Sequence, residues 1–151
     1  RLIQALQLKS EDRAMVVASG LGYGTAILAR LAKSVAAVEC DPALVASAER
    51  MFRELAVANV TQVVGKLEKG AAASAPYDVV LIEGAVQQVP QAILDQLTEG
   101  GRLTTVMAGP SGSLGVAQLV VREGGVTSRR SLFDAGTPAL PGFAPPPKFT
   151  F

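Results

Sequence analysis

Three closely spaced glycines, Gly20, Gly22 and Gly24, separate the apolar, β-branched run Ala14-Met15-Val16-Val17 from the helical spacing of Ile27, Leu28 and Leu31. A strand that enters a glycine turn and leaves as a helix must cross over to reach its next partner, so this segment predicts a parallel sheet rather than a meander. The turn permits a close backbone approach, and the helix behind it offers free N–H groups at its start.

The pattern then repeats. Val35 to Val38 reads as a second buried strand, ending in Glu39-Cys40-Asp41-Pro42, where Asp41 is placed to cap a helix and Pro42 to occupy its first turn. Leu44, Val45, Ala48, Met51, Phe52 and Leu55 form one face of that helix. Val60 to Val64 and Tyr77 to Ile82 are the third and fourth strands. A helix carrying Ile93, Leu94 and Leu97 is expected to stop at Gly100-Gly101, with Arg102 to Met107 as the fifth strand. Ala71 to Ala75 is expected to be a loop or short helix. Leu2, Ile3 and Leu6 fall at helical spacing at the start of the chain. Alternation of this kind favours a mainly parallel sheet with helices on both faces.

The ending differs, because Val116 to Val121 and Val126 to Phe133 are joined by Gly124-Gly125 with no helix between them. This predicts an antiparallel hairpin closing the sheet. Residues 135–151 hold Pro138, Pro141, Pro145, Pro146 and Pro147 with Phe143, Phe149 and Phe151. So much proline excludes regular structure. The segment is expected as a tail packing its aromatics on the same domain, residues 1–134.

At 151 residues, 49% apolar and 18% charged, the chain has material for one core. A net charge of +1 leaves no electrostatic footprint for nucleic acid or an anionic membrane, and no apolar run approaches the length of a membrane span. The single cysteine, Cys40, and the absence of any Cys/His cluster exclude an internal disulfide and a zinc site, and point to a reducing cytoplasm. There is no histidine, which removes Ser-His-Asp hydrolases and His-ligated metal enzymes; no metal is expected.

In an open parallel sheet, ligands collect at the carboxyl ends of the strands where the strand order reverses. Glu39, 19 residues after Gly20, stands at such an end, where a carboxylate can accept from two vicinal ribose hydroxyls. An adenosine-containing ligand is the expectation. Nicotinamide dinucleotides and S-adenosylmethionine both fit this frame. The terminal hairpin favours the second, since an inserted antiparallel seventh strand characterises the S-adenosylmethionine methyltransferase fold. Other residues carry plainer expectations: Tyr77 as a core residue at a strand entry, Tyr23 on the sheet or on ligand, Cys40 as a small packed side chain or facing adenine, and Arg122, Arg129 and Arg130 as charges protecting an edge strand.

Met15-Val16-Val17-Ala18-Ser19-Gly20-Leu21-Gly22-Tyr23, Val38-Glu39-Cys40-Asp41-Pro42, Ala75-Pro76-Tyr77-Asp78 running on to Glu83-Gly84-Ala85, and Leu94 to Leu103 together resemble the protein-L-isoaspartate O-methyltransferases, over residues 1 to about 134. The resemblance implies a Rossmann-like α/β fold with a seven-stranded, mainly parallel sheet and the C-terminal hairpin. It implies S-adenosylmethionine as cofactor and isoaspartyl-containing proteins or peptides as substrates, methylated at the free carboxylate. It also implies that Ala18, Ser19, Gly20 and Gly22 hug the methionine end, Glu39 holds the ribose, Cys40 lines the adenine side, Leu67 lies near the adenine amino group, and Glu83 lies near the methionine moiety.

The departures are Val16 and Lys66, where the family has acids, and Ala18, where it has glycine. Each missing carboxylate contact with a cationic cofactor is worth about 1–3 kcal/mol when fully formed and buried. The resemblance is to a diverged bacterial branch and starts after the family's N-terminal segment, whose substrate-binding motif with its catalytic serine has no match here, so no catalytic residue is assigned; the chain is expected to be either an N-terminally truncated or processed form of a longer protein or a member that has lost the reaction. A domain of this fold that has lost the reaction and acts through protein contacts is the alternative; a nicotinamide-dependent oxidoreductase is the third. A homodimer in which the tail contacts a neighbour is left open.

Overall fold

The computed structural model describes residues 1–149. Its elements are α1 (Leu2–Ala5), β1 (Arg13–Val17), α2 (Tyr23–Leu31), β2 (Ser34–Glu39), α3 (Pro42–Glu54), β3 (Val60–Val64), β4 (Tyr77–Val86), α4 (Gln91–Leu94), β5 (Leu97–Met107), β6 (Gly115–Glu123) and β7 (Val126–Ala135). The seven strands form one sheet in the order β3-β2-β1-β4-β5-β6-β7. The first five are parallel, and the order reverses between β1 and β4.

Strand alternation sorts the core onto two faces. Ala14 and Val16 of β1 pack with Val79 and Leu81 of β4 against Leu28 and Ala29 of α2 and Leu6 behind α1. Met15 and Val17 join Val80 and Ile82 on the opposite face, with Leu67, Ile93 and Leu94. That second face lacks long helices. The β3–β4 connection contains only two 3₁₀ turns, Leu67–Lys69 and Ala72–Ser74, and the β4–β5 connection only the four-residue α4. Phe143 of the tail, 2% exposed, fills the cluster there, and Leu140 packs beside it.

The tail is tied to the carboxyl end of β4, where Ala85 N–H donates to Pro138 O (3.0 Å) and Leu140 N–H to Ala85 O (2.8 Å). Phe149 is 84% exposed and does not pack, contrary to expectation. Phe151 lies outside the described residues.

Two other expectations are corrected. Leu97 does not belong to a helix ending at Gly100-Gly101: α4 stops at Leu94, and Leu97 already pairs with Tyr77 in the sheet. The next registered pair is Val79 with Arg102, so residues 98–101 bulge out of β5, with Gly100 at φ +77°. The offsets of Ile93, Leu94 and Leu97 fit a helix, but sheet pairing overrides them. The antiparallel strand beside β5 is the sixth in the chain, and the seventh takes the edge instead of being inserted. Gly124 and Gly125, both at positive φ, make the two-residue turn that keeps β6 and β7 adjacent.

Arg102 fastens the start of the chain to the sheet, donating to Leu6 O (2.6 Å), Gln7 O (3.2 Å) and the Asp12 carboxylate (2.8 Å). Arg122 is more than an edge charge, since it donates to Leu94 O, Asp95 O and Leu97 O; Arg129 and Arg130 remain exposed on the edge strand β7.

Candidate nucleoside site at the sheet switch point

The glycine turn leaves β1 between the ends of β2 and β4, where the sheet order reverses. Its backbone is left-handed at Ala18 (φ +62°), Gly20 (+54°) and Gly22 (+89°). Ser19 N–H donates to Val38 O, and Gly22 N–H donates to Ser19 O, so the turn is bonded to the neighbouring strand and to itself. Gly22 is the N-cap of α2 and could not carry a side chain: a Cβ there would lie 2.7 Å from the Phe52 ring. Above Gly20, by contrast, space is open, and Leu21 beside it is exposed.

Glu39 at the end of β2 is 5% exposed. Its Oε2 accepts from Gly20 N–H (2.9 Å), and its Oε1 accepts from Cys40 N–H (2.8 Å) and Asp41 N–H (3.2 Å), with the Cys40 thiol at 3.5 Å. A carboxylate has about four acceptor positions, so these bonds leave roughly one, on Oε2, for a ligand hydroxyl. Engaging two vicinal hydroxyls would require Glu39 to release a backbone N–H. Asp41 caps α3 by accepting from Ala43 N–H (2.9 Å), with Pro42 in the first turn.

Cys40 is exposed beside Glu39, not packed, and its thiol pKa is pushed upward by local desolvation of the sulfur and by the hydrogen bond and negative charge of Glu39. Ser19 is buried, and Ala18 is partly buried against the core. Leu67 is 3% exposed, with its side chain in the core cluster, so it could present only backbone to a ligand. Tyr23 is 69% exposed and does not pack on the sheet. Tyr77 is buried and its hydroxyl donates to Ala71 O.

Glu83 lies in the irregular stretch of β4 between Leu81 and Ala85 and lays its carboxylate against Gly24 in the first turn of α2, in space that any side chain at position 24 would need. Among the described residues no donor hydrogen-bonds it. Burial alone raises its pKa from 4.5 to about 7. It also lines a cavity of about 400 Å³ bounded by Leu2, Ile3, Leu81, Val106 and Phe133, at the carboxyl edge of the sheet. Arg1 lies on the rim, its guanidinium 4.0 Å from the centre of the Phe133 ring. The sequence pointed to Glu83; it gave no signal of the cavity or of the contact with Gly24, which joins residues from distant elements.

The arrangement suits a nucleoside whose charged tail runs along the glycine turn. A buried strand-end carboxylate holds the turn in shape, the space over Gly20 is open, and an uncommitted acid stands at the next strand. Among the described residues no group of three or more His, Cys, Asp or Glu could hold a metal, and no helix is long and apolar enough to cross a membrane.

Among solved structures, a protein-L-isoaspartate O-methyltransferase superposes with TM-score 0.86 at 23% identity, covering 93% of this chain and 45% of that one. A Plasmodium falciparum protein described as a putative protein-L-isoaspartate O-methyltransferase, solved with S-adenosyl-L-homocysteine, gives 0.75 at 21%, covering 93% and 69%. These likenesses speak to the fold. In sequence, the protein-L-isoaspartate O-methyltransferase of Roseiflexus castenholzii is 39% identical over 108 residues, 72% of this chain and 50% of that protein. That of Methanoculleus marisnigri is 35% identical over 125 residues, 83% and 56% respectively. The chain thus spans about half the length of these curated relatives. The family profile for protein-L-isoaspartate(D-aspartate) O-methyltransferase matches residues 1–131, from α1 through the sheet into β7, and on that match this chain belongs to the family.

Proposed function

We propose that this chain is the S-adenosylmethionine-binding part of a protein-L-isoaspartate O-methyltransferase, acting in the cytoplasm on isoaspartyl-containing proteins or peptides. The observation that carries the reading is the bond from Gly20 N–H to the buried Glu39 carboxylate, which joins the glycine turn to the strand end where a ribose would sit. Glu39 would hold a ribose hydroxyl through Oε2, Ala18 to Gly22 would follow the methionine end, Cys40 would line the adenine side, and Leu67 would contribute backbone. Residues 135–149 belong to the same domain in this reading, supported by the burial of Phe143.

When bound, the cofactor supplies an electrophilic methyl group on a sulfonium. A substrate carboxylate with a pKa near 4 is already ionised at neutral pH, so no general base is required, and the lack of histidine is no obstacle. What the protein must supply is alignment and exclusion of water. The cavity beside Glu83, walled by Leu2, Ile3, Val106 and Phe133, is the place where an acceptor would approach.

A second reading, a member that keeps the fold and has lost the reaction, is favoured by the three backbone N–H groups already on Glu39, by Val16 and Ala18 at the end of β1, and by Lys66 just after β3. Isothermal calorimetry of this chain with S-adenosylhomocysteine separates the two. Micromolar binding that weakens at least about tenfold in Glu39→Ala, the effect of losing one charge-assisted hydrogen bond, is expected; NAD is expected not to bind. Absence of binding up to millimolar ligand, with the chain folded by circular dichroism, would favour the second reading.

A further inference from the structure

Three carboxyl groups stand near the glycine turn, and two are committed. Glu39 is held by the N–H groups of Gly20, Cys40 and Asp41, and Asp41 caps α3. Among the described residues it is Glu83 whose two carboxylate oxygens both lack a hydrogen-bond donor, although it is half-buried and lies against Gly24 in the first turn of α2. The groups around it are apolar or uncharged: Leu81 and Gly84 on β4, Val106 on β5, Phe133 and Ala135 on β7, Leu2 and Ile3 on α1, and Thr137 on the tail. Arg1 is the one charged neighbour on the cavity wall; its guanidinium is stacked on Phe133, and among the described residues it forms no ion pair with Glu83. The first turn of α2 contributes no acid, and Tyr23 there points to solvent. Thr25, on the buried face of the same helix, also has no partner for its hydroxyl among the described residues.

A half-buried carboxyl with no donor is costly unless a cation comes to it. Resting on the cofactor reading above, we infer that Glu83 is the counter-charge for the sulfonium of S-adenosylmethionine, and so makes this site prefer the charged methyl donor over the uncharged thioether product. S-adenosylhomocysteine shares the adenosine and amino-acid parts of the donor and lacks only the methyl and its positive charge. The ratio of the two affinities therefore isolates the group facing the sulfur. An acid that burial keeps partly protonated near neutrality would lose its proton as the cation binds, so the preference strengthens as pH rises.

The test is calorimetric titration of both ligands into the full chain at pH 5.5 and 8.5. In the wild-type chain the preference for S-adenosylmethionine over S-adenosylhomocysteine is expected to grow about tenfold between these pH values, the change that follows if the cation lowers the Glu83 pKa by roughly one unit. In Glu83→Gln, isosteric with the protonated acid, and in Glu83→Ala as a second neutral variant, the ratio is expected to stay constant. S-adenosylhomocysteine bound with a ratio that does not move in the wild type would overturn the role of Glu83 and leave the nucleoside site standing. A chain that binds neither ligand would overturn both.

Discussion

Ala18 is held at φ +62°, a conformation that costs a residue with a Cβ about 1–2 kcal/mol and glycine almost nothing. Glycine loses more freedom on folding, by about 0.5–1 kcal/mol, so Ala18→Gly is expected to stabilise the chain by about 0.5–1 kcal/mol. Urea unfolding would show this as a higher midpoint at unchanged slope. A lower midpoint would mean that the Ala18 methyl, which packs against the core, is worth more than the strain it causes. Glu83 makes the opposite kind of contribution. Below pH 4.5 it is protonated folded or unfolded; between 4.5 and about 7 the unfolded chain has released the proton and the folded chain still holds it. Stability from this residue is therefore lost as pH rises through that window and is flat above it. Glu83→Gln, which cannot ionise, is expected to gain on the order of 1–3 kcal/mol relative to wild type at pH 8 and almost nothing at pH 4.5. Equal differences at both pH values in urea unfolding would show that the carboxyl is better solvated than its position indicates.

At the scale of elements, the sheet is covered unequally. α2 protects one side of β1 and β2 and α3 continues that cover toward β3, while α4 and two 3₁₀ turns leave the other side to be completed by the tail. Phe143 fills that place at 2% exposure, which makes residues 138–143 structural despite their proline and glycine content. Phe143→Ala is expected to cost about 3–5 kcal/mol, as for other large aromatics removed from a core, whereas Phe149→Ala, from an exposed position, is expected to fall within about 0.5 kcal/mol of wild type. Urea unfolding of the two variants side by side checks the pair; a loss below about 1 kcal/mol for Phe143→Ala would mean that the cluster closes without the tail. The bulge at residues 98–101 belongs to this scale too. Its outer residue Glu99 reaches the Gly124 N–H of the terminal hairpin, and its Thr98 hydroxyl donates to Asp78, which also accepts from Arg13 N–H. An irregular segment thereby ties β1, β4, β5 and the hairpin turn together.

For the molecule as a whole, the alternating strands and helices, the capped helix after Asp41 and the hairpin at Gly124-Gly125 were legible because each is a local preference repeated along the chain. Glu39 was legible as a candidate for the same reason, since its distance from the glycine turn is fixed by one strand–helix–strand unit. Leu97 misled, because three leucine-type residues at helical spacing also suit a turn followed by a strand. Cys40 and Tyr23 could not be assigned a side by local pattern, and both proved exposed. What the amino-acid order determined by itself is the list of elements, the parallel sheet and the position of the switch point, all of which follow from short-range periodicity and turn chemistry. Only the tertiary structure decided that Glu39 spends most of its acceptor capacity on backbone N–H groups of Gly20, Cys40 and Asp41, that Phe143 fills the face opposite α2, and that Glu83 lies against Gly24 with no donor among the described residues. Each of these depends on contacts between segments far apart in sequence, whose distances no local pattern encodes.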